Sequence, residues 1–111
     1  MLVKESVAVP LEAVQAGIGI RWLLQAADGA PTFAMRLIEI EPGVVFKMHQ
    51  HPYEHEIYVL EGEGVVVGGA GEQRMAPGVA LLILPDELHG YRNLGKETLK
   101  FLCVIPNQTN R

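Results

Sequence analysis

From Thr32 onward the chain is a succession of short apolar runs cut by glycine and proline, and this spacing constrains the fold more than any other feature. The runs are Phe33 to Ile40, Glu56 to Leu60, Gly64 to Val67, Val79 to Leu84 and Leu99 to Ile105. The breaks fall at Pro42-Gly43, Gly62, Gly68-Gly69, Pro77-Gly78, Pro85 and Gly95. Runs of five to eight residues recurring about every ten, with turn residues between them, predict an all-β sandwich or barrel. No stretch carries a sustained 3.6-residue apolar period between caps; the best helical candidate, Pro10 to Ala16, is short. The cluster Gly68-Gly69-Ala70-Gly71 is read as a hairpin loop, because a phosphate cradle would have to feed a helix N-terminus and another strand follows instead. Residues 1–30 are the least patterned part. They are read as an N-terminal arm with an early strand around Ile18 to Leu24, and residues 31–111 as the barrel domain.

At 111 residues one domain and one core are expected. The chain is 49% apolar with a mean hydropathy of +0.18, more than so small an interior can hide. Part of that surface, including the arm 1–30, is therefore assigned to a homodimer interface. Nine Lys and Arg against thirteen Asp and Glu leave a net charge of -4, with no basic stripe, so nucleic acid is set aside as a partner. The lone Cys103 cannot form an internal disulfide, which fits a reducing compartment. No apolar run approaches the ~18 residues of a membrane span, and the N-terminus lacks a cationic segment leading into an apolar one. A soluble, cytoplasmic protein without membrane partners is the expectation.

The chain holds four histidines, three of them within Met48-His49-Gln50-His51-Pro52-Tyr53-Glu54-His55. Residues two apart on an extended strand face the same side, so His49 and His51 are expected to present both imidazoles together, with His55 in the same parity beyond a bend at Pro52. Any one histidine alone would be read as exposed or singly satisfied. Three on one face would crowd cationic groups at mildly acidic pH unless a metal held them neutral. Neutral imidazole is the commonest protein ligand for divalent first-row metals, and a site of this kind draws ligands from several elements. His89, after the turn Pro85-Asp86-Glu87, supplies the fourth.

These residues resemble the cupin family, whose first motif reads G-x5-H-x-H-x3 or x4-E-x6-G. Gly43, His49, His51, His55 and Gly62 match every spacing, with His55 in the place of the family's glutamate ligand. Glu56, one residue on, is the rival for that slot through the longer variant. The second motif, G-x5-P-x-G-x2-H-x3-N, matches at Gly78, His89 and Asn93. Pro85 falls one place late, and the inner glycine is read as replaced by Glu87. More narrowly, the run from His49 to Leu60 is similar to the small single-domain manganese cupins of thermophilic bacteria, of the cupin_2 type, in which four histidines hold the metal.

The resemblance implies a single-domain jelly-roll barrel, or double-stranded β-helix, and one divalent ion held by His49, His51, His55 and His89. Manganese or iron is the first choice; zinc, nickel and copper are compatible because affinity alone does not select against them. An octahedral ion with four protein ligands keeps two open positions. A closed structural zinc site would instead draw on thiolates, of which only Cys103 is available. The implied function is a metal-dependent oxidoreductase of dioxygenase type acting on a small molecule. The alternatives are a Lewis-acid isomerase, and a sensory or ligand-binding module without turnover. Phe101 and Cys103 are expected to look toward the metal cavity, with core packing as the rival for each. Arg36 is expected either to meet an anionic substrate or to pair at the surface with Glu39 or Glu41. Tyr58 and Tyr91 are left ambiguous, and Trp22 is placed in an interface or the core.

Overall fold

The structure is a computed structural model and describes residues 1–107. Ten strands follow one another: β1 (Glu12–Gln15), β2 (Ile18–Leu24), β3 (Phe33–Ile40), β4 (Val45–His49), β5 (His55–Glu61), β6 (Gly64–Gly68), β7 (Gly71–Met75), β8 (Ala80–Ile83), β9 (His89–Asn93) and β10 (Leu99–Pro106). Among the described residues helix is confined to the single 3-10 turns Ser6–Ala8 and Ala26–Asp28. No helix among the described residues is long and apolar enough to cross a membrane.

The strands form two antiparallel sheets, a six-stranded one in the order β1-β2-β3-β10-β5-β8 and a four-stranded one in the order β4-β9-β6-β7. Neighbours in sequence often lie in opposite sheets, which is the jelly-roll arrangement. Alternation decides which face each strand turns inward: in β10, Leu99, Phe101, Cys103 and Ile105 are buried, while Lys100, Leu102 and Val104 are partly exposed. β5 does the same with His55, Ile57 and Val59 inside and Glu56, Tyr58 and Leu60 outside. Between the sheets, Ile38, Ile40, Val59, Val66, Met75, Leu99 and Phe101 belong to one apolar cluster.

The expected strands are all present. The segment expected to be a short helix at most holds β1, which pairs with β2 and so with the six-stranded sheet. The glycine cluster is a hairpin as expected: Gly68 pairs with Gly71, leaving Gly69-Ala70 as a two-residue turn. β7 and β9 escape a search for apolar runs, because Glu72, Gln73 and Arg74 face solvent and β9 reads His-Gly-Tyr-Arg-Asn.

Two glycines fix the close packing. Gly62 has φ +84°, and a Cβ there would come within 2.8 Å of the Leu99 Cα, so only glycine makes this turn beside β10. At Gly90 a Cβ would lie 2.7 Å from the Phe46 carbonyl oxygen. Its absence lets β9 run close against β4, with His89 opposite His49.

Candidate metal centre

The four histidines gather at one end of the barrel, but not from a single strand. His49 closes β4, His51 lies in the loop that follows, His55 opens β5 and His89 opens β9. The expected common strand face is corrected: the chain leaves the sheet after His49 and rejoins it in the other sheet at His55. Pro52, which has no N–H to give to a ladder, sits in the bend. His51 is placed instead through the loop after β8, where the Asp86 N–H donates to the His51 carbonyl oxygen at 2.6 Å.

That loop also corrects the second motif. Asp86, not Glu87, takes the left-handed conformation, with φ 63°, and it stands three residues before His89 where the family pattern has its glycine. Aspartate is among the few residues that enter this region routinely. Glu87 instead closes the turn: its Oε1 accepts the Leu84 N–H at 2.9 Å, and its carbonyl accepts from His89 Nδ1 at 2.8 Å.

Ring centres lie 5.1 Å apart for His49 and His51, 4.3 Å for His49 and His89, 4.9 Å for His51 and His55, 5.4 Å for His55 and His89, and 6.1 Å for His51 and His89. All four Nδ1 atoms have a partner outside the histidine cluster. His49 Nδ1 donates to the Lys47 carbonyl at 2.7 Å, His89 Nδ1 to Glu87, His51 Nδ1 is 3.5 Å from the Tyr53 hydroxyl, and His55 Nδ1 is 3.1 Å from Cys103 Sγ. The Nε2 atoms of His55 and His89 are buried and have no hydrogen-bond partner.

Burial favours the neutral imidazoles. It pulls His51 down to about 4 and His55 down to about 3, with the neighbouring histidines and Arg36 adding repulsion, and it lowers His89 as well. Tyr91 lies beneath the cluster, 5.6 Å from the His89 ring and 5.1 Å from Phe101, and burial raises its hydroxyl far above the usual tyrosine range. It shares the parity of His89 on β9, the signal by which the sequence could have placed it.

Of the two expectations for Arg36, the surface pairing with Glu39 or Glu41 does not form. Glu39 pairs with Arg21 at 2.7 Å, while Arg36 is buried, with Nη2 2.8 Å from Cys103 Sγ and 3.4 Å from His55 Nδ1 and its guanidinium 5.5 Å from the Trp22 ring centre. Cys103 therefore meets His55 directly, and burial raises its thiol although Arg36 opposes the shift. Phe101 is fully buried deeper in the barrel against Tyr91. Glu56 is exposed on the face of β5 opposite to His55. A cavity of about 310 Å³ reaches His89 between the β6–β7 hairpin and β8, walled by Val66, Val79, Leu81 and Ile83, with Gln73, Arg74 and Glu87 as polar lining.

Among the described residues no three His, Cys, Asp or Glu side chains are drawn together as a formed metal-holding group. The donor set still suits a divalent ion. Metal–nitrogen bonds of about 2.0–2.1 Å put ring centres about 3 Å from an ion, hence adjacent rings roughly 4.5–6 Å apart, close to the spacings above. Nδ1 turned outward to a partner with Nε2 turned inward is the usual arrangement of a ligating histidine.

The family model of the cupin domain matches residues 36–105. The polyketide cyclase RemF from Streptomyces resistomycificus is 31% identical and superimposes with a TM-score of 0.91, over 100% of this chain and 82% of that one. A predicted oxalate decarboxylase from Thermotoga maritima is 25% identical with a TM-score of 0.83, over 96% and 100% of the two chains. Among curated proteins, 1-methylthio-D-xylulose 5-phosphate methylsulfurylase of Rhodospirillum rubrum is 28% identical over 102 residues, which are 92% of this chain and 62% of that enzyme. The chain thus spans less than two thirds of that relative's length.

Proposed function

This chain belongs to the cupin family, and from that premise we propose that it is a metal-dependent enzyme acting on a small molecule, with one divalent ion held by the Nε2 atoms of His49, His51, His55 and His89. The observation that carries the proposal is the pair of buried, partnerless Nε2 atoms of His55 and His89, set among four histidines whose Nδ1 atoms each have a partner outside the cluster. A buried polar atom without a partner is costly, and an ion would satisfy both. Manganese or iron comes first, as expected from the sequence. When bound, the ion would polarise a substrate oxygen as a Lewis acid or hold dioxygen beside the substrate.

The chain's own residues do the rest. Low proton affinity keeps His51, His55 and His89 neutral and ready to ligate at neutral pH. The apolar walls Val66, Val79, Leu81 and Ile83 exclude water around a substrate entering toward His89. Glu56, on the opposite face of its strand, takes no part. The names of the relatives, a polyketide cyclase, a sugar-phosphate methylsulfurylase and a predicted oxalate decarboxylase, favour Lewis-acid chemistry on an oxygen-rich substrate over oxygen incorporation.

The test is elemental analysis of protein purified without an affinity-metal column, followed by incubation with phenols, enols and diketones in deuterated buffer under an oxygen electrode. Deuterium entering the substrate without oxygen uptake is the expected result. Substrate-dependent uptake would replace it with the oxygenase reading, and tight binding without either would leave a ligand-binding module. Homodimerisation belongs to the same proposal. The arm, residues 1–30, exposes Leu2, Val3, Val7, Leu11 and Val14, and β1 is an edge strand whose free side a second copy would extend. A sedimentation mass of one 12.2 kDa chain at micromolar concentration would refute it.

A further inference from the structure

Among the described residues the buried polar and charged side chains are Arg36, His55, His89 and Asn93, and none of them is an acid. Arg36 cannot shed its proton, so the barrel interior holds a fixed positive charge. No salt bridge among the described residues reaches it, and its buried Nε has no hydrogen-bond partner. We propose that Arg36 is the anion-binding residue for the substrate: its guanidinium takes the carboxylate of a small organic acid whose neighbouring carbon carries a second oxygen for the histidine centre. The inference rests on the metal-dependent reading above and names the class of substrate for it.

Nothing already beside the guanidinium supplies the missing negative charge. Nη2 lies 2.8 Å from Cys103 Sγ and 3.4 Å from His55 Nδ1. Burial raises the Cys103 thiol and pulls His55 down to about 3, so both are neutral at neutral pH. The Trp22 ring, with its centre 5.5 Å from the guanidinium carbon, offers only the weak attraction of its face. The acids are committed elsewhere: Glu39 pairs with Arg21, Glu56 lies on the outer face of β5, and Glu87 accepts the Leu84 N–H. A buried charge left uncompensated is strongly destabilising. A ligand that brings the opposite charge explains why the chain carries one here.

The position suits a substrate held at the histidine centre. β3 runs between β2 and β10, with Trp22 and Cys103 opposite Arg36 on either side, and Arg36 shares the inward face of its strand with Ala34 and Ile38. The guanidinium stands beside His55 Nδ1, and the partnerless Nε2 lies across the same ring. Its field reaches the rest of the centre, where it repels protons from His51 and His55 and opposes the upward shifts of Tyr91 and Cys103. An acid group on Arg36 is therefore only one ring's width from the centre, and an oxygen on the next carbon can face it. A carboxylate fits better than a phosphate: its single negative charge matches one guanidinium, and its two coplanar oxygens match the planar fork of donors.

The experiment is isothermal titration calorimetry of pyruvate, and of its neutral amide pyruvamide, into Mn²⁺-loaded and metal-free protein in chloride-free buffer. Pyruvate should bind the loaded protein roughly 10–100-fold more tightly than the amide, the usual worth of hydrogen bonds to a charged group. Arg36→Met should remove that preference while Mn²⁺ is still bound. Arg36→Lys, which keeps the charge and loses the planar fork, should recover part of it. Equal affinity for acid and amide in the unaltered chain, or no binding of pyruvate to either form, overturns the proposal whether or not any variant folds. A preference that survives Arg36→Met overturns it too, as does chloride competing as strongly as pyruvate, which would mark a charge that any small anion neutralises. Pyruvate bound through Arg36 in protein that takes up no metal supports the anion site and sinks the metal reading; Mn²⁺ bound without a preference for the acid does the reverse.

Discussion

The two ends of the barrel treat buried polar atoms in opposite ways. At the end away from the histidines, Asn93 is 2% exposed and fully satisfied: Nδ2 donates to the carbonyls of Ile40 and Glu97, both at 2.8 Å, and Oδ1 accepts the Gly95 N–H at 2.9 Å. Its backbone N–H reaches the Val44 carbonyl and its own carbonyl takes the Gly43 N–H. At the other end, His55, His89 and Arg36 are also buried, and each keeps a nitrogen without a partner. Both ends derive from the same motif, H-x3-N, spanning β9 from His89 to Asn93. One end of that strand is built to close the fold. The other holds polar groups that the chain alone does not satisfy, the mark of a site kept ready for something else.

The largest effect separating the ends is expected from Asn93→Ala. It removes three side-chain hydrogen bonds and strands two carbonyls and an N–H, each costing roughly 1–3 kcal/mol. Thermal unfolding by circular dichroism should fall by more than about 10 °C, at about 4 °C or more per kcal/mol. The metal bound per folded molecule should not change. A mild loss of stability would mean that the satisfied end does not hold the fold.

His55→Ala should do the reverse, removing most of the metal in elemental analysis while lowering the melting point of the metal-free protein less than Asn93→Ala does. Glu56→Gln should leave metal content nearly intact. Equal metal loss in both would reinstate Glu56 as a ligand against the strand parity that turns it outward.

A smaller, graded effect is expected from pH. His51 and His55 take up protons near the ordinary value of 6.5 when unfolded, but only at about 4 and about 3 when folded. The unfolded chain therefore binds more protons as the solution is acidified below about 6.5. Folded-state stability falls across that window and levels off once both histidines are protonated in the fold. Melting of the metal-free protein between pH 7.5 and 4 should show this decline, and His55→Ala should make it shallower. A flat profile would mean that the histidine end is already open to water.

The fold was largely legible because inward-facing positions repeat every second residue: Phe33 to Ile40 and Leu99 to Ile105 mark β3 and β10 almost residue for residue. β7 and β9 were not, since Glu72, Gln73 and Arg74 lie on the surface and β9 spends its inward positions on His89, Tyr91 and Asn93. The four histidines were found by spacing alone, whereas their placement on one strand was not, because the chain switches sheets between His49 and His55. Arg36 shows the limit most clearly. An arginine among apolar residues is ordinarily a surface group, and only the register of β3 against β10 places it opposite Cys103.

The two-residue turn at Gly69-Ala70 stands at the histidine end, because Gly68 pairs with His89, and Gly68, Ala70 and Gly71 border the cavity. Both turn residues are exposed, and a side chain at Gly69 would meet nothing within 4 Å. Residues inserted there would grow over the cavity mouth without entering the core or shifting a histidine-bearing strand. If the proposed function holds, lengthening this one hairpin would reshape the cavity mouth while leaving the histidine-bearing strands in place.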